Sequence, residues 1–570
     1  MKKSSAQNGP SVCYFSMEVA LEPKMPTYSG GLGVLAGDML KSFADLEMPI
    51  VGMCLLYHRG YFEQKIDETG WQKEQPTRWD PHHFLKLQNN IIELTLEGRV
   101  VLAQAWLYEL KGTTGHIVPV YFLDTDLPEN HPDDRSLTHY LYGGDLKYRL
   151  KQEALLGVGG VRLLKSLGLY PNIKTFHMNE GHAALLTLEL LGDHNYTDSE
   201  VAQYCTFTTH TPVPAGHDHF PYDMAHQVLG NILPWHIQKI AGYSDLNMTT
   251  LAMNLSRYRN SVAQKHGEVS RNLFPGYQMD AITNGIHPMT WVSKPFHKIF
   301  DENFPNWKTD EKQILRALDL PDGVVWKAHQ ENKQKLLDYI VEKTGEVFNL
   351  KTLTIGFGRR AAPYKRASLI FYDLEKLAQI CKGQVQFVFA GKAHPRDDMG
   401  KKEIQKVIES INHINKTYPE KIRIVFLENY NMETGALMTA GVDVWLNNPV
   451  RPREASGTSG MKAAINGVPN FSILDGWWIE GHEEDLTGWS IGAAPSEVTL
   501  SDQEDAPDAL DFYEKLEYKV IPLYYQNHAG WIKVMKNAIA KNGSQFNTHR
   551  VVKDYGRSAY QLEKALASTK

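Results

Sequence analysis

The sequence predicts an α/β protein built as two doubly wound, largely parallel sheets, and three observations carry that expectation. At 570 residues the chain exceeds what one hydrophobic core serves, so two large domains are expected. In each half, short apolar runs alternate with helical periodicity, as strand and helix units do. Several of those runs end in glycine-rich or polar loops, which in such folds gather at the carboxyl edge of the sheet, where ligands bind.

Composition narrows the class. Hydrophobic residues make up 42% and charged residues 22%, as in an ordinary globular protein, and a net charge of −6 argues against a generic nucleic-acid binder. Cys13, Cys54, Cys205 and Cys381 lie far apart and form no CxxC pair, which suits reduced core residues of a cytoplasmic protein. The polar start MKKSSAQNGP, with SVCYFSMEV after it, makes no secretory segment, and no stretch of about 18 apolar residues predicts a membrane span.

In the first half, Val12 to Phe15 reads as a buried strand, and YSGGLGVLAGDMLKSFADL (28 to 46) as a glycine turn opening an amphipathic helix. PIVGMCLLY (49 to 57) is a second strand. Residues 91 to 124 alternate apolar and polar positions around Glu97-Gly98 and Thr113 to Gly115, which predicts antiparallel strands beside the parallel core. Helical periodicity fills 142 to 167. TFHMNEGHAALLTLELL (175 to 191) and CTFTTHTPVPAGHDHF (205 to 220) each run from a strand into a polar loop, and MDAITNGIHPMTW (279 to 291) has a polar tip at Asn284-Gly285. His177, Glu180 and His182 are metal-ligand types, but a loop does not set both imidazoles on one helical face and no third ligand is evident. They are expected to line a cleft through hydrogen bonds, with no metal.

In the second half, residues 311 to 345 are charged and helical, broken at Pro321-Asp322-Gly323, and the domain junction is expected there. KTLTIGFGRRAAPYKR (351 to 366), VQFVFAGKAHP (385 to 395), IRIVFLENY (422 to 430), DVWLNNP (443 to 449) and PNFSILDGWW (469 to 478) supply a second parallel sheet. Residues 531 to 566 read as helices separated by Asn542-Gly543. Arg359, Arg360, Lys365 and Arg366 follow a strand's carboxyl end; four cations so close suit an anion such as phosphate. In EASGTSGMK (454 to 462), Gly457, Thr458, Ser459 and Gly460 let the backbone approach a ligand. MKAAING continues as a helix to a stop at Gly467, and its N-terminus is a seat for phosphate or sugar hydroxyls. Lys462, in the first turn among Met461, Ala463 and Ala464, should lose its proton more readily than a solvated lysine, as a Schiff-base lysine must.

E-A-S-G-T-x-x-M-K resembles the signature around the cofactor lysine of the α-glucan (glycogen, starch or maltodextrin) phosphorylases, which carry pyridoxal phosphate. Other features agree with that family in order over nearly the whole chain. SGGLG resembles its glycine loop, YHRGYFEQKI the next strand and turn, and TTHT the segment whose histidine contacts the glucosyl unit. GRRAAPYKR resembles its K-R-x-x-x-Y-K-R phosphate segment, with Arg359 where lysine is usual; AGKAHP and FLENYN follow in place.

The resemblance implies a GT-B fold, two Rossmann-like domains facing across a cleft: 1–310 for the glucan, 311–540 for cofactor and phosphate, and a helix in 541–570 crossing back to the first. It implies pyridoxal phosphate bound through Lys462, with Arg359, Lys365, Thr458, Tyr57, Tyr430 and Gly31 around it. Gly30, Leu32, Gly33, His210, Asn284, Glu454, Ser456 and Gly457 would hold the glucosyl unit, with Glu180 and His182 near it, while Arg360 and Lys365 hold inorganic phosphate. The catalytic set is then Lys462, Arg360, Lys365, His210 and Glu454. The implied reaction is phosphorolysis of the non-reducing end of an α-1,4-glucan to α-glucose 1-phosphate with retention, the cofactor's 5′-phosphate relaying a proton, in a protein that is a homodimer if it follows the family.

Three departures stand out. Ser459-Gly460 replaces the usual Gly-Asn, Asn431 replaces an arginine, and the regulatory N-terminal segment of the animal enzymes is missing, so control by phosphorylation or nucleotide there is not expected. The rival enzyme is a nucleotide-sugar glucosyltransferase of the glycogen or starch synthase type, which shares the fold and a G-G-L-G loop. Against it, Tyr28 and Ser29 stand where bacterial-type synthases have Lys-Thr, and the second carboxylate of E-x7-E is Lys462 here. A non-catalytic glucan-binding protein is opposed by the intact set Lys462, Arg360, Lys365, Glu454 and His210.

Overall fold

The computed structural model describes residues 9–193, 197–494 and 505–562. The expected α/β architecture is present, with two separate parallel-stranded sheets. The first has nine strands in the order Asp280–Ala281, Tyr258–Ser261, Cys205–Thr208, Thr175–Asn179, Val12–Phe15, Ile50–Leu55, Ile117–Asp124, Arg99–Lys111 and Lys86–Leu96. The first seven pair in parallel and the last two antiparallel, as the alternation over 91 to 124 predicts. Val12–Phe15 is buried at all four positions, as a strand covered on both faces must be, so it reads as an unbroken apolar run.

The second sheet runs Arg423–Leu427, Val385–Ala390, Leu353–Gly358, Val444–Asn447, Asn470–Ile473 and Gly488–Ile491, all parallel. In both sheets the winding reverses beside the first strand. Val12–Phe15 has Ile50–Leu55 on one side and Thr175–Asn179 on the other; Leu353–Gly358 lies between Val385–Ala390 and Val444–Asn447. Loops leaving the two sides of such a switch point diverge and open a crevice. Those loops carry the glycine run, Glu180, the cations after Gly358 and EASGTSG.

A two-stranded ribbon, Glu63–Ile66 with Gln72–Gln75, reaches from the first domain onto the second. Gln64 and Asn429 exchange bonds to each other's backbone N–H at 3.1 and 2.8 Å, and Gln72 brackets Ala393 at N and O, both at 2.9 Å.

Two boundaries differ from expectation. Residues Trp291, Phe296, Phe300 and Trp307 pack into the core of the second sheet, ahead of the junction read from 311 to 345. The helix break expected at Asn542-Gly543 falls at Phe546: a π-helical turn, Ala538–Asn542, carries the chain straight into Gly543–Gln545. Asn547 then caps the Thr548–Ser558 helix through His549 N. That helix packs on Gly31–Asp45, and Val551, Val552, Tyr555, Ala559 and Tyr560 complete the first domain's core. Asp45 accepts from His287 Nε2 at 2.8 Å and from His549 Nε2 at 3.1 Å, closing the seam. The eight residues 563–570 of the expected crossing segment lie outside the described residues.

All four cysteines are free and buried. Among the described residues no helix is long and apolar enough to cross a membrane.

Candidate active site

The second domain's wall starts from the helix Ser459–Ile465, in whose last turn, not the expected first, Lys462 lies. Gly467, at φ +74°, ends it as expected. Thr458 is the N-cap residue but makes no capping bond with its side chain, so its hydroxyl is uncommitted. Gly457 sits at φ +78°, a conformation that favours glycine. Gly460 is required by packing: a Cβ there would lie 2.2 Å from Asn470 Oδ1 and 2.9 Å from the Trp477 ring. Ser459 Oγ accepts from Trp445 Nε1 at 3.1 Å, so this departure from the family pattern belongs to a local repacking. Ser456 is buried with its carbonyl taken by Trp477 N.

Lys462 is 9% exposed, and its Nζ lies 3.8 Å from the centre of the Trp291 ring. Burial lowers its pKa to about 8, so a neutral amine is within reach near neutrality.

Glu454 sits between two cations. It accepts from Arg359 Nη2 and from Lys365 Nζ at 2.7 and 2.9 Å. Burial alone would raise its pKa; Arg359 and then Lys365 outweigh that and hold it at about 2. Its own N–H donates to Asp475 Oδ2 at 2.9 Å, a carboxyl that burial pushes up to about 7. Arg359 Nε and Nη1 are buried with no hydrogen-bond partner. Among the described residues Arg360 alone of the four cations makes no ion pair; it is exposed and faces Tyr364, Tyr61 and Glu18.

Arg366 leaves the set. Its guanidinium is buried against Asn448 O at 2.9 Å, Asp508 at 2.6 Å and Asp505 at 3.0 Å, so it braces the domain rather than an anion. Tyr430 packs over Gly358 and Gly435, close to Arg359. Asn431, in place of the family's arginine, caps Met432–Gly441 through Thr434 N at 3.0 Å.

On the first domain's wall, the glycine loop is held in a way the sequence did not suggest. The N–H groups of Ser29 and Gly30 donate to Glu18 Oε2 at 2.6 and 3.1 Å, so these two are not free for a ligand. Gly31 is exposed and Leu32 half-buried at the helix start, while Gly33 is buried against Glu18. Glu180 adopts φ +80° and accepts from His210 N at 2.6 Å, Thr211 Oγ1 at 3.0 Å and Gly181 N at 3.1 Å; burial raises its pKa to about 7.

His210 has a defined tautomer. Ser16 Oγ donates to Glu18 O, so it accepts from Asn179 Nδ2 at 3.1 Å, which leaves Asn179 Oδ1 to accept from His210 Nε2 at 2.7 Å. Nδ1 is then the acceptor, and burial keeps the ring neutral, its pKa lowered to about 3. His182 is likewise neutral through burial, at about 3, with Nε2 3.5 Å from Asp218. Asn284 is buried, its carbonyl taking Arg550 Nη2 at 3.3 Å.

Two sequence assignments change. Tyr57 is fully buried, and its hydroxyl donates to Met17 O at 2.6 Å; it belongs to the first domain's core rather than to the cleft. Thr208 Oγ1 donates to Asn260 Oδ1 and so accepts from His177 Nε2 at 2.8 Å, and Nδ1 of the neutral ring accepts from Tyr560 Oη at 2.6 Å, which ties the crossing segment down. Among the described residues the cluster with metal-ligand spacing is Asp45, His287 and His549, away from this loop.

Glu18, Trp291, Asp38 and Asp475 were missed. Glu18 could have been suspected as a carboxylate just past a buried strand's carboxyl end; nothing in the spacing marks the others.

Two doubly wound sheets meeting at their switch points, with cations on one wall and neutral hydrogen-bonding groups on the other, define a GT-B enzyme of the glycosyl-transferring type. A family model described as carbohydrate phosphorylase matches residues 17–111 and 234–488. The chain is 39% identical to a maltodextrin phosphorylase of Thermococcus litoralis, over 98% of this chain and 71% of that protein. Glycogen phosphorylases of Mycobacterium tuberculosis and Aquifex aeolicus are each 33% identical over 96% of this chain, and over 70% and 86% of their own lengths. The chain belongs to the carbohydrate phosphorylase family. Glu180, His182 and His210 lie between the two matched blocks.

Proposed function

We propose that this cleft performs phosphorolysis of an α-1,4-glucan, releasing the non-reducing terminal glucosyl unit as α-glucose 1-phosphate with retained configuration. The observation that carries it is the anion seat: two buried, unpartnered nitrogens on Arg359, an Arg360 that makes no ion pair among the described residues, and Lys365 beside them. Buried guanidinium donors left unpaired are costly, and an oxyanion removes the cost.

The same residues fit pyridoxal phosphate. Lys462 offers a buried amine for its aldehyde, while Arg359 and the uncommitted Thr458 hydroxyl, with Tyr430 close by, offer a place for its 5′-phosphate. When bound, the group supplies a phosphate whose second pKa of about 6 suits proton transfer near neutrality.

The chain's own residues do the rest. Arg360 and Lys365 bind inorganic phosphate; Arg360 does so without giving up an existing ion pair. Glu454 keeps Arg359 and Lys365 together and presents its carboxylate to sugar hydroxyls, with Ser456 and Gly457 in the same loop. His210 Nδ1 accepts from a glucosyl hydroxyl, and Asn284, Leu32 and the exposed Gly31 complete the sugar's surroundings. The inorganic phosphate so held gives a proton to the glycosidic oxygen, the bond from C1 to that oxygen breaks, and a phosphate oxygen bonds C1 on the same face. The glucan leaves one residue shorter. No pair of enzyme carboxylates is needed, unlike in hydrolysis.

The test is release of glucose 1-phosphate from maltodextrin by the purified chain with added pyridoxal phosphate. Release that scales with inorganic phosphate supports the reading; hydrolysis without phosphate, or transfer from a nucleotide sugar, overturns it. Four free, buried cysteines support the cytoplasmic location proposed from the sequence. The homodimer is proposed on the family resemblance and is checked by sedimentation.

A further inference from the structure

Asp38 lies inside the Gly31–Asp45 helix, 1% exposed, on the side turned to the second domain. Its Oδ2 accepts the Trp291 indole N–H at 2.7 Å, while Oδ1 is buried and has no hydrogen-bond partner of normal geometry. The face of that same indole carries Lys462 Nζ, 3.8 Å from the ring centre. Asn466 fixes the ring's backbone to the lysine's helix: its Nδ2 donates to Trp291 O at 2.8 Å and to Lys462 O at 2.9 Å. Three segments distant in sequence therefore converge on one amine.

We propose that Asp38 is a positioning residue for Lys462: it aims the Trp291 indole beneath the amine, and its carboxylate is the counter-charge the amine meets across that ring. A buried carboxylate with one uncommitted oxygen is costly unless a cation shares its field, and an indole face also favours a cation. The charged groups around the pair are few. Lys462 and Lys41 face Asp38, with the His287 backbone N–H also turned to it. Asp38 is the charge that faces Lys462, while Glu22 and Asp45 act on Lys41, whose Nζ donates to Thr290 Oγ1 at 3.2 Å. Burial drives the Lys462 pKa down and Asp38 opposes it, so the two together set the amine between a fully charged and a fully neutral state near neutrality.

The inference rests on Lys462 being the reactive amine of the proposed function, yet it is measured without any cofactor. The full-length protein is labelled with acetic anhydride from pH 6 to 10, and the extent of acetylation at Lys462 is read by peptide mass analysis. Asp38→Asn keeps an acceptor for the indole but removes the charge. Its labelling midpoint is expected to fall by about one pH unit, the scale of one nearby buried charge. Trp291→Phe keeps the ring and removes the donor; Asp38 then holds its proton more tightly, and the midpoint falls by less. A role confined to packing moves neither.

Unchanged midpoints in both variants, or in Trp291→Phe alone if Asp38→Asn does not fold, overturn the inference. A parallel trap with pyridoxal phosphate and borohydride separates the two readings. No adduct on wild-type Lys462 overturns the cofactor proposal, whereas an adduct with unshifted labelling midpoints overturns only the role of Asp38.

Discussion

The two walls of the cleft handle the same problem, polar groups out of water, in opposite ways. The second domain's wall keeps full charges and pairs them: Arg359 and Lys365 on Glu454, with Asp475 taking its backbone N–H. The first domain's wall turns neutral groups to the cleft: His210 and His182 are uncharged through burial and burial raises Glu180 toward neutrality, while the charged Asp218 is paired with Arg149 behind His182. A charged wall binds an anion strongly and responds to salt; a neutral wall reads hydroxyls by direction. The difference teaches how one crevice accepts an ionic and a sugar reactant side by side.

Predictions follow the size of the expected effect. Lys462→Ala removes the amine from the charged wall and is expected to abolish phosphate-dependent glucose 1-phosphate release, measured in protein free of host enzyme. Arg360→Ala takes away the cation with no ion pair and should lower kcat/KM for phosphate by about a hundredfold, with KM for the glucan much less affected. An equal rise in both KM values would break the division between the walls.

Glu454→Gln leaves Arg359 and Lys365 facing a neutral group. The loss of a buried partner costs about 3 kcal/mol, to be read as a lower midpoint in urea unfolding. His210→Phe deletes one neutral hydrogen-bonding ring and should cost about tenfold in kcat/KM for glucan while leaving the phosphate dependence intact.

The smallest effect is in pH. His177, His182 and His210 are lowered to about 3, and His217, His266 and His287 to about 4, all by burial. Their unfolded value is about 6.5, so the unfolded chain binds more protons between these limits, and their stability is complete above pH 6.5 and lost as pH falls. Glu180 and Asp475, raised to about 7, act in the opposite sense as pH rises through 7. His139 and His394 are lowered as well, while Asp38, raised to about 6, Glu153, raised by burial, and His58, raised by Asp124, join the opposing side. Eight lowered histidines against five opposing groups give a net loss between pH 6.5 and 4.5, checked by urea unfolding across that range; a flat profile would contradict the neutral first-wall histidines.

Much of this was legible in the chain because it follows from local chemistry. The buried strand at Val12–Phe15, the glycine turn into Gly31–Asp45, the cations after Gly358 and the turn at Gly457 each announce themselves by burial pattern, φ requirement or charge density. What was not legible depends on partners far away in sequence. Tyr57 and Arg366 look like cleft residues until Met17 and Asp508 are seen to occupy them. Glu18 holding the glycine loop, and Asp38 reaching Lys462 through Trp291, are three-dimensional coincidences of segments that no periodicity connects. The break at Phe546 was misplaced because Asn542-Gly543 is accommodated by a widened helical turn that composition does not signal.

The crossing helix has a consequence for synthesis. Ser42 bonds Thr548 at 2.6 Å across 506 positions, and Tyr555 and Tyr560 fill space between strands made at the outset. A ribosome adding about 5–20 residues per second needs roughly half a minute to two minutes to bridge that gap. Throughout that time the leading domain waits on the ribosome with an open flank of apolar side chains, and only the finished second domain delivers the piece that closes it.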